Sequence, residues 1–95
     1  MEAKEQAMLV RIHGRVQGVS FRVWTRMEAE KLGLGGWVRN EDDGTVRALI
    51  AGPEPAISKM LERFWQGPPG ASVANVTFEN VDVSEGTGTF RITTS

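Results

Sequence analysis

Residues 14 to 22 read Gly, Arg, Val, Gln, Gly, Val, Ser, Phe, Arg, a run whose residue types suit the binding of an anion. Gly14 and Gly18 let main-chain N–H groups turn inward and form a concave nest of partial positive charge. A helix reads from Phe21 onward, so its unpaired N–H donors and the positive end of its dipole join that nest. Arg22 falls in the first turn, where a cation opposes the dipole. That conflict is a clue that Arg22 serves something other than the helix. A guanidinium offers a planar fork to two phosphate oxygens. A solvated arginine beside a glycine turn fits the same spacing, because glycine-rich loops are common.

Asn40 is the second residue of interest. It ends a strand-like stretch, Trp37 to Asn40, ahead of Glu41, Asp42, Asp43 and Gly44. An asparagine there either bonds the local turn backbone or orients a water with its amide. The acids at 41–43 could suggest a metal site, but a run of acids in a tight turn reads equally as a solvated loop, and no histidine accompanies it. His13 stands alone on one face of a strand and has no partner evident in sequence. Trp24, Trp37 and Trp65 read as packing residues.

These residues need a scaffold, and the chain is short. With 95 residues it fits one domain, read as a body over 7–95 behind a frayed polar tail over 1–6. A net charge of −1 argues against a broad basic surface for nucleic acid, though not against a local site for one phosphate. There is no cysteine, which excludes disulfides, thiolate catalysis and cysteine metal sites. No signal peptide or membrane span is read near the N-terminus, and a cytoplasmic protein is expected.

Periodicity supplies the elements. Residues 7–13 alternate as a strand, with Met8, Val10 and Ile12 on one face and Leu9, Arg11 and His13 on the other. Phe21, Thr25, Ala29 and Leu32 form one helical stripe to about Lys31, closed by Gly33, Gly35 and Gly36. Asp43 and Gly44 signal a hairpin between 37–40 and 45–51. Pro53 and Pro55 open a second helix whose apolar face is Ile57, Met60, Leu61 and Phe64, stopped by Gly67, Pro68, Pro69 and Gly70. Residues 73–83 are β-prone. Their apolar phase shifts from Val76 and Phe78 to Val81 and Val83, which predicts a bulge near Glu79 and Asn80. Gly86 and Gly88 mark a turn, and Phe90 to Thr93 form a last short strand. The order βαββαβ, with a short extra C-terminal strand, predicts a ferredoxin-like α/β (α+β) sandwich. Two helices would cover one face of a mostly antiparallel sheet.

Two stretches also resemble a known family. Ile12, His13, Gly14, Arg15, Val16, Gln17, Gly18, Val19, Ser20, Phe21 and Arg22 closely resemble the first acylphosphatase signature. Gly36, Trp37, Val38, Arg39 and Asn40, followed by Gly44, Val46 and Gly52, resemble the second. The resemblance implies hydrolysis of a small acyl phosphate to carboxylate and inorganic phosphate, with no metal and no phosphoenzyme; a monomer with no cofactor and no nucleic-acid or membrane partner is expected. It implies that the loop from Arg15 through Val16, Gln17, Gly18, Val19 and Ser20 to Phe21 cradles phosphate with backbone N–H groups. Arg22 matches the family's phosphate-binding arginine, Asn40 the asparagine that positions the attacking water, and the substrate itself serves as base. Nothing in the loop selects among carbamoyl phosphate, 1,3-bisphosphoglycerate and acetyl phosphate.

Two other readings compete. A domain of this kind without turnover would serve as a binding module, and the retained Arg22 and Asn40 argue against it. An RNA binder of the same fold type would stack bases on aromatics of the central strands. Residues 8–13 and 45–51 contain no aromatic.

Overall fold

A computed structural model describes residues 4–83 and 88–94. The elements follow the expected order: β1 (Glu5–Arg15), α1 (Phe21–Lys31), β2 (Gly35–Asn40), β3 (Val46–Pro53), α2 (Glu54–Gln66), β4 (Ser72–Asn80) and β5 (Phe90–Ile92). The five strands form one sheet in the order β4-β1-β3-β2-β5. All neighbours are antiparallel except β2 and β5, which run parallel. Each helix therefore joins two parallel strands separated by an antiparallel third, the split βαβ arrangement.

The even-numbered residues of β1 and β3 carry the core. Val10, Ile12, Val46, Ala48 and Ile50 are fully buried. Register links Val10 to Ala48 and Ala48 to Val38, so one apolar row runs across three strands. From α1 come Phe21, Thr25 and Ala29, the expected stripe, and from α2 come Ile57, Met60 and Phe64. Phe21 stacks on Phe64 at 6.4 Å, and Trp24 meets both rings edge-on at 5.3 and 6.5 Å. Trp65, read as a packing residue, is instead half exposed.

The other sheet face is open and charged. Arg11 pairs with Arg47 and Arg47 with Arg39, three like charges side by side. Such a row is unfavourable unless neutralised. The 41–45 turn supplies the counter-charges. Glu41 accepts from Arg39 Nε at 2.9 Å and lies 3.9 Å from Arg47, while Asp43 accepts from Arg11 at 3.0 Å. Asp43 also accepts from the Thr45 hydroxyl at 2.6 Å and the Thr45 N–H at 3.0 Å.

Four expectations are corrected. The first strand begins at Glu5 rather than Ala7, so Glu5 and Gln6 of the expected tail pair with Pro53 and Gly52. Residues 1–3 of that tail, and Gly86, lie outside the described residues. The bulge is not at Glu79 and Asn80. The register slips where His13 faces Asn75 and Gly14 faces Val73, leaving Ala74 as the extra residue. Gly14 has φ 130°, and a Cβ there would lie 2.2 Å from the Ser72 carbonyl oxygen, so the strands approach too closely for any side chain. The phase change at Val81 marks the end of β4, which closes at Asn80. Gly35 and Gly36 begin β2 instead of ending the helix. Gly36 is required because a Cβ would sit 1.8 Å from the Leu49 carbonyl oxygen.

Two outcomes follow. The Thr25 hydroxyl is buried and has no hydrogen-bond partner among the described residues. Thr25→Val should therefore stabilise the fold by about 1 kcal/mol and raise the melting temperature by roughly 4–8 °C in calorimetry. A drop in stability would show that the hydroxyl is bonded. Bonds from the Thr45 side chain and backbone, helped by Arg11, hold the Asp43 carboxyl below its ordinary pKa of 3.8. A lowered carboxyl pKa adds stability above the ordinary value and loses it as pH falls through that value toward the folded one. Urea midpoints of wild type and Asp43→Asn should thus differ at neutral pH and converge below about pH 3.8. A gap independent of pH would reject the assignment.

Candidate active site

The loop between β1 and α1 is shaped by two positive-φ residues, Gly18 at φ 75° and Ser20 at φ 61°. Ser20 occupies the N-cap position in the left-handed region, and its side chain makes no capping bond. The first turn of α1 contains no acid. Trp24 N–H donates to Ser20 O at 3.0 Å and opens the helical ladder. Among the described residues, the main-chain N–H groups of residues 16–23 make no hydrogen bond. A bend of unpaired donors at the positive end of a helix results, as an anion site requires.

A cavity of about 390 Å³ lies at this bend, lined by Val16, Gly18, Ser20, Phe21, Arg22, Val23, Asn40 and Ile92. Arg22 and Asn40, separated by a whole helix in sequence, meet there. Neither the Arg22 guanidinium nor the Asn40 amide has a side-chain hydrogen bond or ion pair among the described residues. Among the described residues of the lining, Arg22 is the only charged one. Asn40 does not spend its amide on the turn, the other role its position allowed. Glu41, the next residue, directs its carboxylate to Arg39 and Arg47 on the open face, so its charge is paired away from the cavity.

Of the loop residues expected at the site, Val16, Gly18, Ser20 and Phe21 line the cavity with Arg22. Arg15, Gln17 and Val19 do not. Arg15 ends β1 and is exposed, while Val19 packs against the core. Gln17 has a different task. Its side-chain amide donates to Glu41 O at 2.8 Å and Thr45 O at 2.9 Å. The amide thereby ties the loop to both ends of the hairpin turn that follows Asn40. Sequence reading missed this clamp, as well as Val23 and Ile92. Gln17 offered one signal, a two-donor amide within a glycine loop.

His13 lines no part of the cavity. Among the described residues, no group of three or more His, Asp or Glu side chains is placed to hold a metal ion. None of the described helices is long and apolar enough to cross a membrane.

Comparison with known proteins agrees with the geometry. The acylphosphatase family model matches residues 8–92. The chain is 63% identical over 93 residues to an acylphosphatase of Rhizobium meliloti (strain 1021), covering 98% of each. The solved acylphosphatase of Coxiella burnetii superposes with a TM-score of 0.89 at 40% identity, over 94% of this chain and 93% of that one. That of Bacillus subtilis gives 0.89 at 38%, over 95% and 99%. With both signature segments meeting at one cavity, the chain belongs to the acylphosphatase family, hydrolases that act on acyl phosphates.

Proposed function

We propose that the cavity performs this hydrolysis with the N–H groups of the 15–21 loop and Arg22 holding the phosphoryl group and Asn40 holding the water. One observation supports the reading above all: an unpaired guanidinium, an unpaired amide and a bend of unpaired N–H donors share one cavity. Acyl phosphates have a good carboxylate leaving group, so the reaction needs positioning and charge stabilisation more than a strong base.

In this mechanism the non-bridging oxygens accept from the loop and from Arg22. The Asn40 side-chain carbonyl accepts one hydrogen of the water and aims its oxygen at phosphorus. The new P–O bond forms as the bond from phosphorus to the acyl oxygen breaks. Its electron pair leaves with the carboxylate, and the water proton passes to a phosphoryl oxygen. Arg22 and the fixed donors carry the charge without a metal ion. The same reading takes the chain as a monomer acting on a small molecule, and a cysteine-free chain suits the reducing cytoplasm.

Hydrolysis of benzoyl phosphate, followed by absorbance with chelator present, tests the reading. Arg22→Ala should lower kcat/KM by at least about 100-fold, the scale of a lost oxyanion donor, and should weaken inhibition by inorganic phosphate in parallel. Asn40→Ala should lower kcat by a similar factor while the phosphate inhibition constant stays nearly unchanged. Near wild-type turnover in either variant removes that residue from the mechanism. A rate abolished by chelator and restored by magnesium would reject the metal-free route.

A further inference from the structure

The cavity lining holds two chemically different sets of groups beyond the loop. Arg22 suits an anion. Val23 and Ile92 are aliphatic. Val23 is 47% exposed in the first turn of α1. A β-branched apolar residue gains little there from helix propensity, and an acid would suit the dipole better. Exposure at such a position is explained if a ligand covers the side chain. Ile92 reaches the cavity from β5, where it pairs with Val38, two residues before Asn40.

We propose that Val23 and Ile92 form the wall that receives the acyl group and selects acyl phosphates whose acyl part is uncharged. The proposal rests on the phosphoryl group occupying the loop and Arg22. With that cation engaged, a second anionic group on the substrate finds no charged partner among the described residues of the lining. It would instead be stripped of water against two aliphatic side chains. A hydrocarbon acyl chain in the same place gains from burial.

Butyryl phosphate and succinyl phosphate give a matched pair, since they differ chiefly by a terminal methyl against a terminal carboxylate. The wild-type protein should favour butyryl phosphate in kcat/KM by at least about 10-fold, within the range apolar pockets achieve. Val23→Lys should narrow that preference at least about 5-fold, and Val23→Glu should widen it, with the Lys effect fading at high salt. Val23 is half exposed, so both variants can fold, which circular dichroism checks. A wild-type preference near unity, or a ratio that Lys and Glu leave equal, overturns the assignment of the wall. Failure of the underlying reading looks different: Arg22→Ala would then hydrolyse both substrates at the wild-type rate.

Discussion

An α-helix leaves its first N–H groups without partners, and in α1 the chain supplies none. No side chain caps Ser20, and no acid faces the dipole. Ser20 itself is held left-handed, at a cost of about 1–2 kcal/mol for a residue with a Cβ. Arg22 adds a cation at the positive helix end. Each feature taken alone is a defect of helix design. Together they leave one end of the helix with donors and positive charge that no described residue balances. Preorganised donors of this kind cost no rearrangement at the moment of reaction.

The rest of the molecule holds that bend against Asn40. Strands β1, β3 and β2 lie side by side, so the end of β1 and the end of β2 are fixed by one ladder through β3. Gln17 adds a direct tie from the loop to the turn beyond Asn40. Asp43 and Thr45 stiffen the same turn, and the arginine row behind it pairs with Glu41 and Asp43. The open face therefore serves the cavity indirectly, by keeping negative charge on the far side of the sheet.

Much of this was legible in the residues because it is local. The Phe21, Thr25, Ala29 stripe, the Asp43–Gly44 hairpin and the proline-opened α2 each follow from short-range periodicity and turn chemistry. Gly14 and Gly18 stood out by type and spacing, whereas Arg22 and Asn40 each kept a bland alternative on spacing alone and were singled out by the resemblance to the two signatures. What the sequence hid depends on contacts between distant segments. A bulge was expected where the apolar phase changed, yet it lies at Ala74, because Gly14 lets the backbones approach there. Gln17 counted as one more loop residue until the hairpin carbonyls came within reach of its amide. Val23 and Ile92 carry no polar atom on their side chains, and only the parallel docking of β5 on β2 brings Ile92 to the cavity that Val23 also lines.

That docking has a consequence for how the molecule comes into being. During synthesis the 15–21 loop, α1 and Asn40 emerge early, and β1, β3 and β2 can pair before β5 exists. Ile92 arrives later, on a strand of only three residues that must slot beside β2. A nascent chain thus gains its bend of unpaired N–H donors before Ile92 joins the cavity lining. Until β5 locks in, Phe90 and Ile92 remain outside the core they join, so the docking of one short strand completes that core and adds Ile92 to the cavity in a single event.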